Sequence, residues 1–286
     1  MVTAYSAMTL AVVWLTPLVA FSTDVEDKEE IRQTLHFSHP AATKRVEVDN
    51  INGSIIVKGY SGQDVELVAN KYLRGRSQEK LERGRQDVRL EISEEDNVIK
   101  LFVDAPYRQR DGSINYQGHR YYGYEVRFEF ELRVPLETDL YLRTVNDGDI
   151  KVENVSGDHD VKNVNGGIEM HEVAGAIRCY ALNDDVHVLF DKNPEAECYF
   201  GSLNGEVKIS FRSNLSADAR FKTFNGEVYS DFPVTQLPGA TPVREQHQGR
   251  YIYKFDRGMG VRIGKGGPEL EFDAFNGNIL IVKRED

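Results

Sequence analysis

The side chains best able to do chemistry in this sequence are seven histidines, two cysteines and several neighbouring acidic residues. His159, His171 and His187 fall in one stretch, and three imidazoles within coordination range of one another would suit a transition metal. His159 stands six residues before its repeated asparagine, His171 six after and His187 four after, so the three do not stack and we expect separate surface side chains. The sequence therefore predicts no metal site here.

Neighbouring acidic residues offer a second kind of chemistry. Asp147 with Asp149, and Asp184 with Asp185, provide the oxygen ligands that calcium prefers. Aspartate also replaces glycine in tight turns, and we favour this interpretation. A polysaccharide lyase would need carboxylates and basic residues together on one face, and alternating charge is more typical of a solvated sheet face. The residues that raise this possibility are Lys151, Glu153, Lys162, Glu169, Arg178, Glu206 and Lys208.

The sequence contains no recognisable signature of a serine hydrolase triad, of a catalytic cysteine-histidine pair or of a glycine-rich phosphate loop. We therefore expect a protein that is not an enzyme, without catalytic residues and without a cofactor. A lyase-like enzyme that acts on a polysaccharide is the enzymatic alternative.

Residues 104–124 have the composition of a recognition surface. Tyrosine and arginine on one loop combine rigid aromatic area with polar groups, which suits the recognition of proteins and sugars. The alternative is a long hairpin whose tyrosines pack over the end of the fold. The candidate binding residues are Tyr107, Arg108, Arg110, Tyr116, Arg120, Tyr121, Tyr122 and Tyr124.

These side chains must be positioned by a repeat that runs through most of the sequence. An asparagine followed by glycine or aspartate recurs between two runs of alternating apolar residues, as in DVKNVNGGIEM and CYFGSLNGEVKISF. Five of these asparagines, from residue 146 to residue 225, follow one another at steps of 18 to 21 residues, the size of one small supersecondary unit. The repeated asparagines are Asn52, Asn146, Asn165, Asn183, Asn204, Asn225 and Asn276.

Apolar and polar residues alternate on both sides of each repeated asparagine. The residues four before and three after it are apolar in nearly every copy, and the residue two before it is always small or polar. A period of two indicates β-strands. The best helix candidate is the charged stretch of residues 77–87, with Leu81 as its apolar contact.

Two all-β architectures fit this alternation. Asn-Gly between alternating runs is a strong hairpin signal and would give antiparallel stacked hairpins. In a parallel β-solenoid, each repeat of about 20 residues is one rung, and asparagines of successive rungs lie about 4.8 Å apart. Such asparagines can form a ladder of hydrogen bonds, which also explains the small residue that recurs at one position. We favour the parallel solenoid, with an N-terminal β cap.

Both cysteines stand an even number of residues before the asparagine of their rung. Side chains at even positions are expected to face inward, so the two cysteines should face inward on neighbouring rungs. Cys179 lies four residues before Asn183, and Cys198 lies six before Asn204. Strict register places them diagonally, about 7–8 Å apart, which is too far for a disulfide. An insertion of two residues after Cys198 would align them, and an oxidising compartment would permit the bond. Free buried thiols and a Cys179–Cys198 disulfide both remain open at this level.

The sequence resembles the adhesin-like β-solenoid domains of unknown function that occur in exported and envelope proteins of bacteria. The resemblance rests on the opening VEVDNINGSIIVKGYSGQDVELVANKYL, the passage VPLETDLYLRTVNDGDIKVENVSGDHDVKNVNGGI and the closing GKGGPELEFDAFNGNILIVKRE. It implies a right-handed β-solenoid-like fold, a location at the cell envelope and a role in adhesion or at the surface. It implies no catalytic residues.

Residues 1–22 are predicted to be a signal peptide. Residues 7–21 form an uncharged apolar run that is short for a membrane span and suits secretion, although no Lys or Arg precedes it. We expect export to the periplasm, the cell surface or the medium, and a retained N-terminal membrane anchor is the alternative.

The remainder is predicted to be one domain. Residues 23–30 are expected to be a polar linker and residues 31–286 a single β-repeat domain. Within that domain, residues 31–137 form N-terminal strands or a cap, and residues 138–286 form the rungs. Residues 233–260 are expected to be an excursion between the penultimate and last rungs, because they contain three prolines and a polar run.

Composition restricts the partners. The chain has 46 acidic against 35 basic residues, a net charge of -11, whereas a general nucleic-acid binder needs a basic surface. We expect binding to a protein or glycan of the cell envelope, no nucleic acid, and membrane contact only through an uncleaved N-terminal segment. An envelope structural or stress-response protein that self-assembles or binds membrane partners is the alternative. The sequence leaves the oligomeric state open.

Overall fold

A computed structural model describes residues 24–108, 114, 121–237, 243–247, 250–254 and 259–284 of the 286-residue chain. The predicted signal peptide lies outside the described residues, as do the candidate binding residues Arg110, Tyr116 and Arg120. Within the described ranges, no helix combines the length and the apolar character that a bilayer span requires.

The described residues form 23 β-strands and one short α-helix, so the all-β prediction is confirmed. In chain order the elements are β1 (Val25–Leu35), β2 (Arg45–Asp49), β3 (Ile55–Tyr60), β4 (Val65–Gly75), α1 (Gln78–Asp87), β5 (Arg89–Glu95), β6 (Val98–Asp104), β7 (Tyr124–Pro135), β8 (Asp139–Thr144), β9 (Ile150–Glu153), β10 (His159–Asn163), β11 (Ile168–Val173), β12 (Ile177–Ala181), β13 (Val186–Phe190), β14 (Cys198–Ser202), β15 (Val207–Phe211), β16 (Ala217–Thr223), β17 (Val228–Ser230), β18 (Val234–Gln236), β19 (Val243–His247), β20 (Arg250–Lys254), β21 (Met259–Ile263), β22 (Glu269–Ala274) and β23 (Ile279–Lys283).

These strands belong to two large sheets. Sheet A has the order β1-β4-β7-β3-β9-β11-β13-β15-β23-β17-β20-β19, and sheet B has the order β18-β21-β16-β22-β14-β12-β10-β8-β2-β6-β5. Each repeat contributes one strand to each sheet, and its asparagine lies at the turn between them. For example, β10 in sheet B leads through Asn165 to β11 in sheet A.

Successive repeats pair in parallel and in register. In sheet B, Val161 lies between Leu142 and Cys179, and in sheet A Ile168 lies beside Ile150. All five side chains are buried, so equivalent apolar residues form columns between the two sheets. This continuous apolar interior is what holds the repeats together.

Antiparallel pairs occur on both sides of the parallel repeats. On one side β4 pairs with β1 and β7, and β5 pairs with β6. On the other side β21 pairs with β16 and β18, and β20 pairs with β17 and β19. The sheets are therefore mixed. The repeats pair in parallel as predicted, and the alternative of stacked antiparallel hairpins is wrong for them, whereas the strands at both ends pair antiparallel. The end strands differ because their sequences lack the repeated asparagine turn.

The last repeat lies out of sequence order in both sheets. β22 lies between β14 and β16, and β23 lies between β15 and β17. Phe272 of β22 accordingly lies between Phe200 and Phe221, with its ring centroid 5.3 Å from each. In chain order the excursion comes between the penultimate and last repeats, as expected, but the last repeat does not lie at the end of the stack. The intervening strands β18 to β21 lie outside the Asn225 repeat, and the last repeat enters between two earlier ones.

The first strand contains most of the segment predicted to be a linker. β1 pairs with β4 along its whole length, from Val25 to Leu35. Val25, Ile31 and Leu35 are half-buried against the core, whereas most of the intervening charged residues are exposed. The linker prediction is wrong because a few spaced apolar residues suffice to dock an edge strand, and the charges protect its open side.

The helix prediction is confirmed. α1 covers Gln78–Asp87, and the Ser77 side chain caps it by accepting a hydrogen bond from the backbone N–H of Lys80 at 3.3 Å. Leu81 is buried, and the helix packs on β4 and β7 at the N-terminal end of the fold. The single apolar contact seen in the sequence is therefore the one that anchors the helix.

His159 is buried, which corrects its expected place on the surface. It pairs with Leu140 and Ile177 in neighbouring strands and is only 2% exposed. Its Nε2 lies 3.3 Å from the carbonyl oxygen of Val155, whereas its buried Nδ1 has no hydrogen-bond partner. Burial lowers the pKa of His159. The residue lies six before Asn165, the same inward parity as Cys198, so the alternation already indicated this position.

The stability of the protein is expected to fall as the pH drops below about 6.5, because the unfolded chain then binds a proton at His159 that the folded protein does not. The free energy of unfolding should decrease by up to about 1.4 kcal/mol per pH unit until the lowered pKa of the folded state is reached. His159→Leu removes this group and matches its neighbours. Its urea unfolding, followed by circular dichroism across this range, should therefore depend less on pH.

His171→Leu is the matched control for this experiment. His171 lies partly exposed on sheet A, and its replacement leaves the buried His159 in place, so the part of the pH dependence that comes from His159 should remain. An unchanged slope in His159→Leu would show that the buried imidazole is not its source.

Candidate binding surface

Three of the predicted binding residues are packed inside the fold and do not face solvent. Tyr107 and Tyr124 are 4% and 3% exposed, and the Tyr124 hydroxyl donates to Asp87 Oδ2 at 2.8 Å. Burial, together with this bond to a carboxylate, raises the pKa of Tyr124. The Arg108 guanidinium is nearly buried, forms an ion pair with Asp49 at 2.9 Å and lies over the ring of Phe102. These three side chains fasten the segment to the fold.

The other two described residues of that set reach solvent. The Tyr122 ring lies 5.5 Å from Tyr107, 5.6 Å from Tyr124 and 5.0 Å from Tyr121. Tyr122 is half-buried, whereas Tyr121 is 72% exposed. The structure therefore brings four of the predicted tyrosines together, and Tyr121 is the one that presents most of its ring to a ligand.

The amides of the repeated asparagines form one continuous chain of hydrogen bonds. Each Nδ2 donates to the Oδ1 of the next repeat, at 2.7–3.0 Å. The chain follows the stack and not the sequence, because it runs from Asn225 to Asn276 and then to Asn204 before it continues to Asn52. Asn52 ends it by donating to the carbonyl of Val126 at 3.1 Å. All the amides therefore point the same way along the molecule.

The residue two before each repeated asparagine lies inside the turn. Asn50 is fully buried, and its Nδ2 lies 3.2, 3.0 and 2.9 Å from the carbonyl oxygens of Asn52, Gly53 and Phe128. Its Oδ1 accepts from the N–H of Ile51 at 2.9 Å. Buried backbone groups need such partners, which explains why the position is polar or small. Equivalent side chains that also donate to turn carbonyls are Thr144, Asn163, Ser202 and Thr223.

The two cysteines are free buried thiols. Cys179 pairs with Phe200, so the strict register holds and Cys198 is displaced diagonally, beside Leu270. Burial raises the pKa of Cys198 to about 11 and that of Cys179 well above its usual value. The backbone N–H of Ile177 donates to the Cys198 sulfur at 3.4 Å. The disulfide alternative is not realised in this structure, and both thiols act as packing groups.

A second aromatic surface lies on the solvent side of β8, β10, β12, β14, β22 and β16, which we call the outer face of sheet B. It carries Tyr141, Tyr180 and Tyr199, all half-buried. Arg143 lies over the Tyr141 ring at 4.4 Å, and Arg178 lies over the Tyr199 ring at 5.3 Å. Burial raises the pKa of all three tyrosines, to about 12 for Tyr199, so each keeps its hydroxyl proton at neutral pH.

Gly201 allows two of these rings to lie close to the sheet. It pairs with Tyr180 on one side and Asp273 on the other. A Cβ at Gly201 would lie 2.8 Å from Tyr180 Cδ2 and 2.9 Å from the Tyr199 hydroxyl, closer than real side chains approach. The absence of a side chain at Gly201 therefore leaves room for the Tyr180 and Tyr199 side chains beside it.

The outer face of sheet B continues into a cleft at the turns of the last repeats, which we call the aromatic cleft. Phe224 and Phe275, 54% and 45% exposed, stack there with ring centroids 5.0 Å apart and planes at 5°. Lys222 and Asp273 form an ion pair at 2.9 Å beside them. The cleft has a volume of about 370 Å³ and is lined by Tyr180, Ser202, Leu203, Lys222, Thr223, Phe224, Asp273 and Phe275. This size is in the range of small-ligand sites.

This surface was not predicted from the sequence, although the sequence contains a signal for it. Tyr141, Tyr180 and Tyr199 stand an odd number of residues before their asparagines, which is the outward parity. An apolar residue also directly precedes every repeated asparagine, and at Phe224 and Phe275 it is aromatic. Exposed aromatic residues at equivalent positions of a rigid repeat are a signature of binding.

The basic residues considered for a lyase are divided between two faces. Lys162 and Arg178 lie in strands of sheet B, whereas Lys151 and Lys208 lie in strands of sheet A. Lys151 pairs with Glu169 at 2.8 Å on its own face. Across the described part of the chain, no three histidine, cysteine or acidic side chains stand close enough to bind a metal ion. The set is therefore split, with Lys151, Glu153 and Glu169 together on sheet A and Lys162 and Arg178 on sheet B.

No protein-family model and no curated protein sequence matches the chain. Solved structures similar to it include a candidate cell adhesion protein from Clostridium sporogenes, with 12% identity, coverage of 92% of this chain and 100% of the other, and a TM-score of 0.36. A candidate adhesin from Bacteroides fragilis has 8% identity, coverage of 89% and 97%, and a TM-score of 0.30. A candidate lipid-binding protein from Parabacteroides distasonis has 9% identity, coverage of 90% and 97%, and a TM-score of 0.32. At such scores the similarity does not identify a function.

Proposed function

We propose that this chain is a non-enzymatic, adhesin-like binding protein, exported to the cell envelope, whose parallel repeats coil as a β-solenoid. Its partner is a protein or glycan, and the outer face of sheet B with the aromatic cleft is its binding surface. The observation that carries the proposal is the grouping of Tyr180, Phe224 and Phe275 around one cleft beside the Lys222–Asp273 pair.

The scaffold supports a binding role because it holds these rings rigidly. Phe224 and Phe275 follow strands that pair in parallel and share the asparagine hydrogen-bond chain. Rigid, partly exposed aromatic side chains lose little conformational entropy on binding and commonly dominate binding energy. The exposed Tyr121, beside Tyr122, is a second proposed contact of the same function.

The double variant Tyr180→Ala/Phe275→Ala is expected to bind isolated cell envelopes about tenfold less tightly or worse, because it removes two rings of the cleft. Binding of the purified protein can be quantified by cosedimentation. Tyr72→Ala is the matched control, because Tyr72 also lies against an arginine, 5.0 Å from Arg127, but on sheet A. It should bind like the parent.

Tyr121→Ala/Tyr122→Ala tests the second contact in the same assay. If only this variant lost binding, the surface would lie at the tyrosine cluster and not at the cleft. Equal binding by all variants would remove both surfaces from the proposal.

A further inference from the structure

The charges around the aromatic cleft neutralise one another. Lys222 pairs with Asp273 at 2.9 Å, and farther along the outer face of sheet B Lys162 pairs with Asp160 at 3.0 Å. Arg143 and Arg178 of the same face lie over the rings of Tyr141 and Tyr199. An acidic polymer is normally bound by cations that lie open to it, whereas these cations already have local partners. The surface therefore favours an uncharged ligand with many hydroxyl groups.

The strands of this surface have no open edge to which a peptide strand could add. β12, β14 and β22 each pair with a parallel neighbour on both sides, so their N–H and C=O groups are occupied. An extended peptide gains much of its affinity by adding to an open sheet edge. A ligand must instead use the side chains, through aromatic faces and paired polar groups.

The aromatic groups extend across much of the sheet. Tyr141, Tyr180 and Tyr199 lie on β8, β12 and β14, and the Phe275 and Phe224 rings of the cleft follow β22 and β16. Neighbouring strands lie about 4.8 Å apart, so the aromatic residues span several strand spacings. A ligand that contacts most of them must be long, as a chain of repeated sugar units is.

We infer that the outer face of sheet B binds a neutral, linear polysaccharide, with a sugar ring in the aromatic cleft. This inference rests on the proposed function and names its ligand class. The C–H face of a pyranose packs on the phenyl and phenol rings, while its hydroxyl groups bond to Asp273 and Lys222.

The test is isothermal titration with a panel of soluble neutral polysaccharides built on glucose, galactose, mannose and N-acetylglucosamine, and with polygalacturonate as the acidic probe. At least one neutral polymer is expected to bind more tightly than polygalacturonate. Tyr180→Ala and Phe275→Ala should each weaken that binding about tenfold or more. Tyr180→Phe, which keeps the ring, and Tyr72→Ala, on the other sheet, should retain it.

The inference is overturned if no neutral polymer binds, if only the acidic polymer binds, or if the cleft variants bind normally. Treating envelopes with periodate, which cleaves sugar diols, separates this failure from that of the proposed function. Cleft-dependent binding that survives periodate but not protease would show a protein ligand and keep the proposed function. Envelope binding that is unchanged in the cleft variants would contradict both the inference and the proposed function.

Discussion

Gly277→Ala is expected to lower the free energy of unfolding by about 3 kcal/mol or more. A Cβ at Gly277 would lie 1.9 Å from the carbonyl oxygen of Gly205, and the equivalent atom at Gly226 would lie 1.9 Å from the carbonyl oxygen of Gly277. Backbone of adjoining turns leaves no flexible side chain to move aside, so the repeats themselves must separate. Separation would stretch the hydrogen bonds that join Asn276 to Asn204 and Asn225.

Gly167→Ala is the control for this effect. The nearest atom to a Cβ at Gly167 is the carbonyl oxygen of Asp185 at 3.5 Å, an ordinary contact, so its stability should change little. Urea denaturation followed by circular dichroism measures both variants. Similar losses in the two would mean that the close approach of the turns does not determine the cost.

Asn50→Ala is expected to cost about 3 kcal/mol of unfolding free energy, because a buried side chain with four hydrogen-bond contacts to backbone groups is lost. Asn50 joins its own turn to the carbonyl of Phe128 in β7. The loss should therefore loosen the contact between the first repeat and the antiparallel N-terminal strands. Hydrogen exchange at the backbone amides of β7 would detect this loosening.

Thr223→Ala is the matched substitution at the other end of the stack. Thr223 occupies the equivalent position but donates only to the carbonyl of Gly277, at 3.5 Å. Ala274 fills the same position naturally in the neighbouring repeat. We expect a change below about 1 kcal/mol. Equal costs at the two positions would contradict the role given to the Asn50 amide.

Much of the fold was accessible from the sequence because its repeat is local. The alternation around each repeated asparagine correctly placed Cys179 and Phe200 inside, and the small charged helix was found with its single anchor, Leu81. The order of the strands was not accessible. Phe272 suits a place beside either Phe200 or Phe221, and only the three-dimensional packing puts it between them.

The candidate site was harder to predict because the same residue types serve two purposes. Tyr107 and Tyr124 belong to a tyrosine-rich segment, yet Tyr124 shares its parity with the buried Val126 and Phe128 of β7 and points inward. Tyr180, in contrast, sits in an ordinary repeat and gains its importance from Gly201 and Asp273 beside it. Those neighbours come from separate repeats, so spacing along the chain does not reveal them.

The inserted last repeat makes the folding of this molecule depend on the order in which it is synthesised. A chain made from its N-terminus can stack the repeats up to Asn204 early. The parallel neighbours of β16 and β17 are β22 and β23, so these parallel pairs cannot form until residues 269–284 have emerged. Until then the strands of the Asn204 repeat present an open edge, the kind of surface on which nascent chains aggregate. The strands that emerge last, β22 and β23, therefore join the repeats up to Asn204 to the Asn225 repeat.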